Sequence, residues 1–192
     1  MFKLLLNHQS YRLEALKPSH KEGLKKAAQD ISLWKYVKPN HIHLDTFFEQ
    51  YYQDMLQHHL SNEPFAYVVI ENKSNNIVGS SRYYQTSVPD KRTCVGFTWY
   101  QRSAWGTGIN PEIKYLLLSQ VFDNLEWNRV EFHVDSRNAR SLLAMSYLGS
   151  TKEGVLRKHK IVQENYVRDT VVFSIIKEDW PIVKNKLLAR IN

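Results

Sequence analysis

The chain has 192 residues with a single cysteine, 43% hydrophobic and 23% charged residues, the balance of an ordinary globular domain, which excludes a disulfide framework, a cysteine-rich zinc site and a disordered or fibrous chain. Its net charge of +7 is spread along the sequence rather than gathered into an aromatic-interleaved stripe, so nucleic acid is disfavoured as a partner, while positive potential would still attract nucleotide phosphates. The opening apolar run is too short for a secretory signal and no later stretch approaches the length a bilayer requires, so the expectation is a cytoplasmic chain without a membrane partner.

No linker or repeat divides the sequence, and residues 1–192 read as one domain. Residues 11–16 alternate as a half-buried strand would, and Pro18 opens a helical stretch toward Asp30. A second helix is expected over 44–60. After Pro64, two β-rich runs at 65–70 and 77–84 flank a turn-rich tip at 72–76, which is a hairpin signal. A third strand ends at 95–100. The helix after it is expected to be capped by Asn110, with Pro111 in its first turn, Glu112 at its positive end, and Ile113, Leu117 and Val121 as its buried stripe. Val130, Phe132 and Val134 alternate with Glu131, His133 and Asp135 in the next strand. Asn138 then begins a helix that ends before Gly149. Two strands, near Gly154 and over 167–176, precede a final amphipathic helix from Trp180. This order predicts a mixed α/β (α+β) sheet with helices on both faces and excludes an alternating Rossmann wind.

The most informative segment is strand, turn, Gly106-Thr107-Gly108, helix, because glycines let backbone N–H groups approach an anion at a helix N-terminus. A dinucleotide fingerprint would need its third glycine at Pro111, and no Lys-Ser or Lys-Thr follows as a triphosphate loop demands. Taken alone, the two glycines fit a plain strand-to-helix turn about as well.

In order along the chain stand Val95-Gly96-Phe97-Thr98-Trp99, Trp105-Gly106-Thr107-Gly108-Ile109-Asn110-Pro111-Glu112, Arg129-Val130-Glu131, Asp135-Ser136-Arg137-Asn138-Ala139-Arg140-Ser141, Leu148-Gly149, Glu153-Gly154-Val155-Leu156-Arg157 and Arg168-Asp169. This series resembles the RimJ/RimL branch of the GNAT acetyltransferases, the group named for ribosomal-protein alanine N-acetyltransferases. The resemblance implies the GNAT fold, acetyl-CoA as acyl donor and direct transfer of its acetyl group to a primary amine, with no metal. It implies that main-chain groups of Thr98, Trp99 and Tyr100 pair with the pantetheine arm. The acyl carrier would be held around Trp105, Gly106, Thr107, Gly108, Ile109 and Asn110, with backbone amides from Gly106 through Pro111 on the pyrophosphate, although Pro111 itself has no N–H to give, and Asn138 and Ser141 would lie beside the pantetheine amide and thioester. The acceptor amine, on a protein N-terminus or a small molecule, would enter a splayed gap between the strands of Trp99 and His133. A homodimer is left open.

Four positions depart from the family pattern. Trp105 stands for the usual Gln or Arg, Asn110 for a small residue, Cys94 for a Glu, and Met145 for a tyrosine used as general acid. The glycines survive, so donor binding is expected to survive. The proton-transfer groups must be sought elsewhere, or the chain is a non-catalytic acyl-CoA-binding module. Ser141 is the candidate donor, with support of the turn after Asn138 as its other reading. For the base, Glu131, His133 and Asp135 lie on one side of one strand, and an imidazole ordinarily changes charge near neutrality. Packing against a helix is the competing use of that face, and positioning alone is a large catalytic effect. His41, His43, His58 and His59 lack matching ligands at a metal-binding spacing and are expected to be solvated. Trp34, Tyr36, Phe47, Phe48, Tyr51 and Tyr52 are expected mostly in the core, with the acceptor pocket as a second use.

Overall fold

The computed structural model describes residues 2–37, 39, 41–60 and 65–191; Pro64 lies outside the described residues. Its strands are β1 (Leu5–Asn7), β2 (Tyr11–Ala15), β3 (Phe65–Glu71), β4 (Ile77–Ser87), β5 (Arg92–Tyr100), β6 (Arg129–Asp135), β7 (Thr151–Val162) and β8 (Tyr166–Ile176). The helices are α1 (Lys21–Ala27), α2 (Leu44–Leu60), α3 (Ile109–Ser119), α4 (Ala139–Leu148) and α5 (Trp180–Ile191). The eight strands form one sheet in the order β1-β2-β3-β4-β5-β6-β8-β7. Neighbours are antiparallel except β5 and β6, which run parallel. The mixed sheet is as expected; β1, three residues long, carries too short a pattern to be read from sequence.

Two apolar cores lie on the two sheet faces. Period-two alternation sends Tyr67 and Val69 of β3 to one core with Leu117 of α3 and Trp180 of α5, and Ala66, Val68 and Ile70 to the other with Leu24 of α1 and Met55 of α2. β3 is therefore buried on both faces, which explains its unbroken apolar run. Phe47, Phe48 and Tyr52 join the second core as expected. At the far edge β7 is exposed almost throughout and carries Lys152, Arg157, Lys158 and Lys160, charges that discourage edge-to-edge pairing. No helix among the described residues is long and apolar enough to cross a membrane.

Two boundaries differ from expectation. The first helix stops at Ala27, and α3 is capped by Gly108 in the left-handed region (φ 82°), not by Asn110. Asn110 lies inside the first turn, where its Oδ1 accepts from the Tyr100 hydroxyl at 3.3 Å. Asn138, by contrast, caps α4 as predicted, accepting from the Ser141 N–H at 3.1 Å, and Gly149 ends that helix at φ 83°.

Candidate active site

The site begins with a fault in the sheet. Ser80 pairs with Trp99 but Arg82 pairs with Gly96, so β5 holds one extra residue there, and Phe97 takes a left-handed φ of 51°. The parallel pairing of β5 with β6 ends at Cys94 and Glu131. Beyond that point the two strands part, and the β6-facing edge of residues 95–100 has no strand beside it.

Three cavities meet in this gap. The first, about 470 Å³, runs along Thr98, Trp99 and Tyr100 to Gly106, Gly108 and the start of α3. The second, about 320 Å³, is walled by Trp34, Tyr36, Tyr51 and Trp99, so part of the aromatic region serves as wall as well as core. The third, about 260 Å³, reaches His133, Asp135 and Arg168. Thr98 and Ser141 line all three. A group lodged in the first cavity and a group entering from either of the others would meet at those two residues.

The first cavity suits an elongated anion. Gly106 (φ 79°) and Gly108 (φ 82°) adopt backbone conformations that disfavour side chains, and a Cβ on either would meet nothing within 4 Å. No side chain caps α3; Pro111 has no N–H and that of Glu112 donates to the Gly108 carbonyl at 3.3 Å, so the N–H groups of Ile109 and Asn110 are the ones presented to a ligand. Trp105, with Ile109 and Asn110, lines the same cavity. Its indole N–H donates to the Tyr100 carbonyl at 2.9 Å, and the guanidinium groups of Arg102 and Arg140 lie 4.1 and 3.7 Å from its ring centre. The signature position thus holds a ring that gathers two cations. Thr107 points elsewhere, its hydroxyl donating to the Ala104 carbonyl at 2.7 Å, and Asn138 lines the second and third cavities rather than the first.

His133 lines the third cavity, with Glu131 beside it. His133 Nε2 lies 3.2 Å from Glu131 Oε2, and Arg129 donates to Glu131 Oε1 at 2.8 Å. Burial alone would raise the Glu131 carboxyl, but the hydrogen bonds from Arg129 and His133 prevail and hold it below its usual range. An ionised Glu131 keeps the proton on Nε2 and leaves the lone pair on Nδ1, which is buried and has no hydrogen-bond partner among the described residues. Cys94, beside this pair, donates its S–H to Gln85 Oε1 at 3.4 Å. Ligand atoms of Cys94, Glu131 and His133 come within 4.8 Å of one another; burial, with the Glu131 charge, pushes the Cys94 thiol up to about 12, so beside this pair it carries its proton.

Asp135 departs from the expected trio. Arg137 donates to it from its backbone N–H at 2.9 Å, from Nε at 3.0 Å and from Nη2 at 2.8 Å, so this carboxylate shapes the turn into α4. Burial would raise it, but the Arg137 hydrogen bonds and charge hold it below the usual range. Asp135→Asn is expected to cost about 1.5–3 kcal/mol at neutral pH, the scale of hydrogen bonds to a charged group. Because the folded pKa is depressed, that stability is present above the ordinary carboxylate range and is lost as pH falls through the folded value. Urea denaturation of both proteins at neutral pH and near pH 3 should show the gap closing in acid.

Sequence reasoning passed over Lys114. It is buried on α3, lines the first and third cavities, donates to Thr98 Oγ1 at 3.4 Å and lies 5.2 Å from the Phe132 ring centre. Burial pushes its pKa down to about 8. Its signal in the sequence is a lysine between Ile113 and the run Tyr115-Leu116-Leu117-Leu118, an interruption of an apolar helix.

A family model described as the acetyltransferase (GNAT) domain matches residues 11–151. The curated "Uncharacterized N-acetyltransferase p20" of Bacillus licheniformis is 26% identical over 121 residues, 63% of this chain and 67% of that protein. A solved structure from T. thermophilus, assigned as an acetyltransferase, is 28% identical with a TM-score of 0.88, over 100% of this chain and 99% of that one. Mycobacterium smegmatis RimJ, solved with CoA-disulfide, shares the fold at a TM-score of 0.77 and 16% identity, over 93% of this chain and 88% of that one.

Proposed function

The chain belongs to the acetyltransferase (GNAT) family and is an acetyl-CoA-dependent N-acetyltransferase; from that premise we propose that it stands on the RimJ/RimL-like branch and transfers the acetyl group directly to a primary amine at the meeting point of the three cavities. The observation that carries this reading is the junction itself, where Thr98 and Ser141 border the donor's cavity and both approaches to it. The donor's pyrophosphate lies against backbone of residues 106–110 at the uncapped start of α3, and its pantetheine arm runs along the open edge of Thr98, Trp99 and Tyr100. The uncapped N–H groups and the room beside the two glycines both support that placement.

The acceptor, a small amine or a protein N-terminus, enters through the second or third cavity. His133 Nδ1 takes the proton of the attacking amine, with Glu131 fixing the ring's tautomer. Ser141 orients the thioester. No covalent enzyme intermediate is needed, because holding amine and thioester together removes much of the barrier.

Free CoA thiol released with a panel of amines, set beside acetyl-CoA binding by thermal shift, tests the proposal. Acceptor-dependent release supports it. Binding without release across a broad panel would instead mark a non-catalytic acyl-CoA module. Ser141→Ala is expected to lower turnover about tenfold and to leave acetyl-CoA affinity within about twofold, since the backbone N–H that Asn138 caps is retained; an equal loss in affinity would make Ser141 part of donor binding.

A further inference from the structure

Lys114 is buried where the donor's cavity and the third cavity share a wall, and its Nζ meets a hydroxyl and a ring face but no carboxylate among the described residues. A buried ammonium without a counter-charge is costly. Such a group is useful where negative charge develops during a reaction. Resting on acetyl transfer at the junction described above, the geometry points to Lys114 as the acid that protonates the departing CoA sulfur.

Its surroundings leave it that role. The titratable and charged groups sharing those cavities are Tyr36, Tyr84 of β4, Tyr100 of β5, His133 and Asp135 of β6, Lys160 of β7, Arg168 of β8, Arg140 and Tyr147 of α4 and Arg190 of α5. Asp135, the carboxylate in that set, is held by Arg137. Met145 lines the same two cavities and has no proton to give. The Tyr84 phenol is pushed above its ordinary range by burial, and a serine hydroxyl such as Ser141 is a far weaker acid than a thiol. Burial brings Lys114 to about 8, close to the ordinary thiol value of about 8.5, so transfer to the sulfur is nearly balanced.

The step closes in atoms and charge. The amine nitrogen bonds to the carbonyl carbon and loses its proton to His133 Nδ1; the carbon–sulfur bond breaks with its electron pair on sulfur; Nζ delivers a proton to that sulfur. Acetylated amine and free CoA thiol leave a neutral lysine and an imidazolium, and proton exchange with solvent restores both.

The test titrates the thiol of CoA bound to the protein, read by thiolate ultraviolet absorbance. In the wild-type complex the thiol is expected to ionise below about 8.5, and in Lys114→Met at or above that value, with turnover down about 100-fold and CoA affinity within about threefold. Lys114→Arg, which keeps the charge but yields no proton, should hold the bound thiol acidic while turnover stays low. An unshifted thiol in the wild-type complex overturns the proposal, as does a Lys114→Met loss confined to the acceptor KM, which would make Lys114 an anchor for an anionic acceptor. If CoA does not bind the wild-type protein, the donor's placement fails and this proposal falls with it.

Discussion

Gly108→Leu is expected to weaken acetyl-CoA binding by at least about 100-fold, equivalent to about 2.7 kcal/mol. Two effects combine. Gly108 has φ 82°, where a side chain costs about 1–2 kcal/mol, so the first turn of α3 is pulled away from the geometry that presents its N–H groups. The new side chain also has room, because a Cβ there meets nothing within 4 Å; the room it takes belongs to the first cavity, which Gly108 lines. The protein should therefore remain folded, with a modestly lowered Tm, while isothermal titration shows the loss of ligand. A Gly108→Leu protein that binds acetyl-CoA normally would put the donor elsewhere.

The second large effect is expected at His133. His133→Ala should reduce kcat about 100- to 1000-fold, within the range of a positioned general base, with acetyl-CoA affinity changed by no more than about twofold. Glu131→Gln should fall less, since an amide oxygen still accepts from Nε2 and holds the tautomer. Steady-state kinetics with a saturating amine, repeated at alkaline pH where the free amine is abundant, separates a lost base from a displaced acceptor. Full turnover by His133→Ala would leave water as the proton acceptor and positioning as the main source of rate.

What could be read in the sequence was what local chemistry decides. Gly106 and Gly108 announced a turn that needs left-handed φ, Asn138 and Gly149 bracketed α4, and strict alternation put Glu131 and His133 on one side of β6, where they meet. The same alternation grouped Asp135 with them, but it could not foresee that Arg137, two residues on, closes back onto that carboxylate. Asn110 looked like a cap by residue type, yet the backbone had already turned at Gly108. Lys114 was hidden for another reason: its meaning depends on Thr98, 16 residues earlier, and on Phe132 of another strand, contacts that only the packing of α3 against the parted strands creates. The extra residue at Phe97 escaped for the same reason, because a bulge is defined by the partner strand.

The short parallel contact of β5 with β6 has a consequence for how the molecule is assembled. β3, β4 and β5 are linked in sequence by antiparallel pairing, as are β7 and β8, whereas β5 reaches β6 only by the crossover through α3. Closing that longer loop carries its own entropic cost. The glycine turn and the His133–Glu131 pair stand on opposite sides of this seam. If the proposed roles hold, either half of the sheet formed alone would carry a donor site or a base but not both, and acetyl transfer would report on the joined sheet.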